Sequence, residues 1–205
     1  MARLHEAGLT LNRDKCAFNL SEVKFLGHVL SADGIKPDPE KTRAILEFPT
    51  PGCRRDLRRF FGVVNYLGKF SPKLADRSVR LRKLLAKDSD WRWSEELDAD
   101  FSALKQTISA ETSLCQFDMG KETMVSADAS AYGLGVAIMQ REDCGWRPVA
   151  YASRALTAAE MRYAQIEKEA LAICWGCQKF DFFLAAPTNS QSLLFDLRIP
   201  HLRRH

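Results

Sequence analysis

The sequence predicts an α+β fold in which a small, basic helical unit precedes a mixed β-sheet covered by helices. Three observations support this prediction. Apolar residues recur at helical spacing from about residue 38 to residue 108. Short apolar runs at 123–128, 134–140 and 147–152 follow, and their lengths are typical of strands. A further helical pattern over residues 156–177 indicates that helices also accompany the sheet.

The first 36 residues are predicted to form the end of a helix followed by a β-hairpin. Gly8 suits the position just after a helix, because glycine adopts a positive φ without strain. Residues 16–20 and 23–30 are the candidate strands, with a bend between Asn19 and Glu22. Residues 31–35 have the composition of a turn.

Three helices are predicted between residues 36 and 87. Asp38 can cap the first helix, Pro39 suits its opening turn, and the Pro-Thr-Pro-Gly run at 49–52 ends it. The second helix covers 54–67 and the third about 73–85. The apolar stripe of the second helix consists of Leu57, Phe60, Phe61, Val64 and Leu67.

Cations are concentrated in this helical unit. Residues 1–87 carry a net charge of +9, whereas residues 88–205 carry −5. A basic half suits the phosphate backbone of a nucleic acid, although a solvated helix face is the ordinary alternative interpretation. The candidates for sequence-independent phosphate contacts are Arg54, Arg55, Arg58, Arg59, Lys69 and Lys73.

Capping residues mark two further helices. Ser94 can cap a helix that runs to about residue 108. Before it, Trp91 and Trp93 are interpreted as core anchors rather than as platforms for base stacking. Later in the chain, Thr157 and Glu160 have the spacing of a capping box.

Two carboxylates in the second half are candidates for chemistry. Asp128 ends an apolar run and precedes small residues, so a tight turn would hold it at a strand end, where an aspartate is usually only a turn residue. Glu169 is either a solvated neighbour of the core or a metal ligand aimed at the sheet. It lies beside the predicted buried face of its helix, which consists of Ile166, Ala170, Ile173 and Cys177.

Longer motifs surround these two acids. One is D-A-S-A-Y-G-L-G-V-A-I, which begins at Asp128, and the other is Y-A-S-R-A-L-T-A-A-E followed by I-E-K-E-A-L-A-I, which contains Glu169. Together they resemble the ribonuclease H domain of gypsy-type LTR-retrotransposon polyproteins. Upstream, F-L-G-H-V-L-S resembles the end of a reverse-transcriptase palm, R-F-F-G-V-V-N-Y a thumb and W-R-W-S-E-E a connector. The resemblance divides the chain into a palm end (1–36), a thumb-like unit (37–87), a connector (88–122) and a C-terminally incomplete ribonuclease-H-like domain (123–205).

The resemblance implies metal-dependent nuclease chemistry. In that family the acids hold divalent cations, Mg²⁺ or Mn²⁺, that hydrolyse the RNA strand of an RNA–DNA hybrid. Asp128 and Glu169 would be catalytic metal ligands, and Asp196, after the apolar run 193–195, is the third candidate. Carboxylates suit this task because hard cations prefer oxygen ligands, and a pair of cations about 3.5–4 Å apart can activate water and stabilise the leaving oxygen.

The chain also departs from the family pattern. It contains no Tyr-x-Asp-Asp motif, so polymerase chemistry is not expected, and the family's fourth carboxylate would lie past His205. We therefore expect weak or absent hydrolysis. The alternative function is a non-catalytic nucleic-acid-binding or structural remnant of the same polyprotein. The remainder of the polyprotein is a further expected partner.

Membrane, redox and zinc-dependent functions have little support. No apolar run approaches the roughly 20 residues of a membrane span, and the N-terminus lacks the apolar segment of a secretory signal. We expect an intracellular protein, cytoplasmic or nuclear, with no membrane partner. Cys174 and Cys177 form a C-x-x-C pair, but it falls inside a predicted helix and has no histidine nearby to complete a zinc site.

Overall fold

The computed structural model describes residues 3, 6–8, 10, 12, 16–72, 74–86, 89–110 and 113–185, and the backbone of 194–197. Within these residues, mainly antiparallel strands form two β-sheets, and helices accompany them. This architecture confirms the α+β prediction. None of the helices described is both long enough and apolar enough to cross a bilayer.

The first sheet is a three-stranded antiparallel meander, which corrects the predicted hairpin. Leu26 and Gly27 adopt positive φ angles of 46° and 69° and reverse the chain inside the predicted strand 23–30. Residues 16–20 belong to the described part of the chain but contain no strand. The strands are β1 (Glu22–Phe25), β2 (His28–Ser31) and β3 (Gly34–Pro37), paired in that order.

The helical unit follows directly. Its elements are α1 (Pro39–Leu46), α2 (Arg54–Leu67), a 3₁₀ turn (Gly68–Phe70), α3 (Leu74–Arg77), α4 (Val79–Lys83) and α5 (Glu95–Ser109). Asp38 caps α1 as predicted, since its carboxylate accepts a hydrogen bond from the Glu40 amide. The helix predicted over 73–85 is interrupted at Ser78, whose hydroxyl donates to the Leu74 and Ala75 carbonyls at 2.8 and 3.0 Å.

Aromatic residues build the core of this unit. The predicted stripe of α2 is buried, and Phe60 packs on Phe101 of α5 with ring centroids 4.6 Å apart. Trp91 and Trp93 pack against the same core, as the sequence predicted. The first sheet is attached through Tyr66 of α2, whose hydroxyl donates to the Leu26 carbonyl.

The second sheet has the strand order β6-β5-β4-β7. Its strands are β4 (Thr123–Ala129), β5 (Gly133–Glu142), β6 (Gly145–Ala155) and β7 (Leu194–Leu197). The first three are antiparallel and extend the predicted runs, whereas β7 pairs parallel to β4. The sheet is therefore mixed, as predicted. The helices α6 (Gln165–Lys179) and α7 (Asp181–Leu184) accompany it.

Helix α6 packs on β4 and β5 through a face that differs from the predicted one. The buried residues of α6 include Glu169, Ala172 and Gly176, whereas Ile166 is 72% exposed. A Cβ added at Gly176 would lie 3.0 Å from the Cγ1 of Val136, so the small residues allow the helix to approach the sheet closely. The capping box at Thr157 is present, but the turn it opens is a 3₁₀ turn (Glu160–Arg162), and α6 starts separately.

Candidate active site

Asp128 lies near the end of β4, opposite Gly135 of β5. Its neighbours Ala127 and Ala129 belong to the core under α6, so strand alternation places Asp128 on the other face of the sheet. That face borders a cleft of about 300 Å³, whose walls include Asp128, Ser126 and Arg77. Arg77 belongs to α3, so the helical unit forms part of the surroundings of this acid.

A tight turn fixes the chain directly after Asp128. The hydroxyl oxygen of Ser130 accepts hydrogen bonds from the amides of Tyr132 and Gly133 at 3.1 and 2.9 Å. The same hydroxyl donates to the Oδ1 of Asp76 at 2.5 Å. Asp76 lies in α3, so one serine both closes the turn and ties it to the helical unit. The sequence predicted the turn but not this tie.

Glu169 lies on the buried face of α6 and is only 4% exposed. Its Oε1 accepts a hydrogen bond of 2.8 Å from the side-chain amide of Gln165, one helical turn earlier. The same amide nitrogen donates to the carbonyl oxygen of Ala129 at 2.8 Å. The Oε2 of Glu169 is buried and has no hydrogen-bond partner among the described residues.

The structure does not bring the two acids onto one face of the sheet, because Glu169 is buried under α6 while Asp128 borders the cleft on the opposite face. The surroundings of Glu169 nevertheless fit a divalent cation in one respect. A buried carboxylate oxygen without a partner is costly, and a hard cation is the natural ligand to satisfy it. Among the described residues, however, no group of three or more His, Cys, Asp or Glu side chains is placed to hold a metal. Asp196 lies in β7, where its backbone pairs with Ser126, two residues before Asp128. The side chains of β7 lie outside the description, so the third ligand stays a prediction.

The predicted phosphate-binding residues lie on two separate surfaces. Arg55, Arg58 and Arg59 are exposed on α2, while Arg54 is half-buried and donates to the Ser89 hydroxyl at 3.4 Å. The end of α2 nearest Lys69 lies about 12 Å along the helix axis from Arg59, given 1.5 Å of rise per residue over the eight steps to Leu67. Lys73 lies outside the described residues.

Lys69 belongs to a second basic surface at the junction of the helical unit and the second sheet. It lines a cleft of about 710 Å³ together with Arg82, Arg154 and Lys179. Burial lowers the pKa of Lys69 and of Arg82. Arg82 also donates to the side-chain oxygen of Asn65 at 3.0 Å. These cations come from four elements of the chain, so no local pattern in the sequence could have grouped them.

Comparisons with known proteins agree with this architecture. Residues 93–190 match the family described as the RNase H-like domain found in reverse transcriptase. Over 199 residues, the chain is 33% identical to the Transposon Tf2-3 and Tf2-4 polyproteins of Schizosaccharomyces pombe. The match covers 97% of this chain and 15% of each polyprotein, so the chain spans only a small part of these relatives.

Two solved structures have a similar fold. The foamy viral protease-reverse transcriptase in complex with RNA/DNA hybrid superposes with a TM-score of 0.73 at 23% identity, covering 87% of this chain and 24% of that one. The same viral protein in complex with dsDNA gives a TM-score of 0.76 at 22% identity, covering 91% and 38%. At these identities the likeness concerns the fold.

Proposed function

We propose that this chain catalyses divalent-metal-dependent hydrolysis of RNA in RNA–DNA hybrids. The chain belongs among the gypsy-type LTR-retrotransposon polyproteins and carries their RNase H-like domain. The observation that carries this proposal is the buried, unpartnered Oε2 of Glu169, linked through Gln165 to the strand of Asp128. The solved foamy viral relative that holds an RNA/DNA hybrid supports the choice of substrate.

The acidic residues, the Ser130 turn and the basic surfaces would have separate roles in this reaction. Asp128 and Glu169, with Asp196 as the third candidate, would hold Mg²⁺ or Mn²⁺, and the cations would activate a water molecule and stabilise the leaving oxygen. The Ser130 turn fixes the position of Asp128. The cations of α2 and of the junction cleft would hold the phosphate backbone without reading sequence.

A cleavage assay tests this proposal. Wild-type protein should cut the RNA strand of a labelled hybrid in Mg²⁺ or Mn²⁺ and not in chelator. Asp128→Asn and Glu169→Gln should each lower the rate at least about 100-fold, because a neutral amide is a poor ligand for a hard cation. Asp143→Asn, in an exposed turn, serves as the matched control. Wild-type protein that does not cut the hybrid in either metal would overturn the proposal.

A non-catalytic nucleic-acid-binding role is the second candidate. The observation that favours it is the group of exposed arginines on α2, namely Arg55, Arg58 and Arg59. This role predicts salt-sensitive binding of hybrid in chelator. Changing Arg55, Arg58 and Arg59 to Glu should weaken that binding, whereas Asp128→Asn should not. Arg141→Glu, on an exposed position of β5, is the control for a single charge reversal and is compared with Arg58→Glu alone.

A further inference from the structure

We infer that Gln165 is a positioning residue for the proposed metal site, because its amide holds one oxygen of Glu169 and leaves the other for a divalent cation. This inference rests on the proposed function. Nothing in the family motifs above identifies Gln165, which precedes the I-E-K-E run that contains Glu169.

The contacts of Gln165 connect Glu169 to the strand that carries Asp128. Its amide nitrogen donates to the Oε1 of Glu169 and to the carbonyl oxygen of Ala129, each at 2.8 Å. A side-chain amide has two N–H donors, so it can make both bonds at once. Ala129 directly follows Asp128 in β4, and Gln165 lies four residues before Glu169 on the same helical face. A single side chain therefore bridges the strand of one acid and the carboxylate of the other.

The pattern of bonds assigns different tasks to the two oxygens of Glu169. Oε1 is occupied by the amide, while Oε2 is buried without a partner among the described residues. A neutral donor such as Gln orients the carboxylate without cancelling its negative charge, as an Arg or Lys would. Outer-shell partners of this kind commonly orient metal ligands, and their loss typically lowers metal affinity about 10–100-fold.

A purely structural role is the competing explanation. In that case Gln165 would only tie α6 to the end of β4, and its loss would lower stability without altering cation binding. Gln178 provides the matched control, since it is an exposed glutamine on the same helix. Gln178→Ala therefore shows whether losing a glutamine side chain from this helix is enough by itself to alter cation binding.

The experiment measures Mn²⁺ binding by calorimetry on the full chain without nucleic acid, with urea unfolding in chelator as the measure of folding. We expect Gln165→Ala, and Gln165→Met of similar size without donors, to weaken Mn²⁺ binding about 10–100-fold. Gln178→Ala should bind Mn²⁺ like wild type. The Met variant keeps the test decisive if the Ala variant does not fold.

The outcomes separate this inference from the proposed function. Wild-type Mn²⁺ affinity in folded Gln165→Met would overturn the positioning role and leave the proposed function standing. Wild-type protein that binds no Mn²⁺, and whose Asp128→Asn variant behaves identically, would overturn both. An equal loss of affinity in Gln178→Ala would also overturn the positioning role, because the effect would then belong to the helix as a whole.

Discussion

The side-chain amide of Gln165 lies 2.8 Å from the carbonyl oxygen of Ala129, and this bond joins the helix of Glu169 to the strand of Asp128. The second point of attachment is packing, where Gly176 of α6 approaches Val136 of β5. The relative placement of the two acids therefore depends on this polar contact and on the apolar packing of α6 against the sheet. Neither contact involves a charged group.

The first prediction concerns the cost of burying Glu169. In chelator, Glu169→Gln should raise the free energy of unfolding by about 1 kcal/mol, because a buried amide is cheaper to desolvate than a carboxylate with an unpartnered oxygen. Urea unfolding checks this. Millimolar Mg²⁺ should then stabilise the wild type but not the variant, since ligand binding to the folded state adds to stability. A variant that is less stable in chelator would contradict this account of Glu169.

Some of this site could be predicted from sequence because its signals are local. The turn after Asp128 follows from small residues and glycine, and the capping of α1 follows from Asp38. Asp128 and Glu169 themselves were identified through motifs, and the structure places them in the elements predicted to carry them. Their convergence on a common cation is still to be tested.

Other features had no local signal. The reversal at Leu26 requires a positive φ in a branched apolar residue, which the sequence does not favour. The predicted buried face of α6 is wrong. Apolar periodicity points to the large apolar residues, whereas close packing on the sheet buries the small residues beside them. For the same reason Glu169 was expected beside the core and is instead within it.

The second prediction uses two glycines with opposite surroundings. Gly34 has φ +129°, and an added Cβ would lie 2.2 Å from the carbonyl oxygen of Leu114, which accepts a hydrogen bond from Ile35. Gly34→Ala should therefore destabilise the protein by at least about 2 kcal/mol. Gly62→Ala, in α2, should stabilise it by about 1 kcal/mol, because the new methyl group would have no atom within 4 Å apart from the adjoining residues and backbone of its own helix. Urea unfolding of both variants is the measurement, and equal effects would refute the reasoning.

The third prediction concerns acid stability. The Arg154 guanidinium, at 2.8 and 2.9 Å, and the Thr157 amide hold the pKa of Glu160 at about 2. Because the unfolded chain has the higher pKa, of about 4.5, this interaction stabilises the protein above pH 4.5 and is lost as the pH falls toward 2. The partial exposure of both side chains limits the effect to about 1 kcal/mol.

The test of this pH dependence is a series of urea unfolding curves between pH 6 and pH 2.5. Glu160→Gln should flatten the acid-side decrease in stability relative to wild type. Glu122→Gln, which removes an exposed carboxylate, should leave the decrease in place. If both variants keep the wild-type slope, the Arg154–Glu160 pair does not contribute to acid sensitivity.

The fourth prediction concerns the tie between α3 and the turn after Asp128. Ser130→Ala removes the acceptor of the Tyr132 and Gly133 amides and the donor to Asp76, so it should cost about 1–2 kcal/mol of stability. It should also lower the rate of hybrid cleavage, because Asp128 would no longer be held by a fixed turn. A double-mutant cycle with Asp76→Ala isolates the tie itself, and we expect a coupling of about 1 kcal/mol. Additive effects of the two changes would show that the turn holds Asp128 without help from the helical unit.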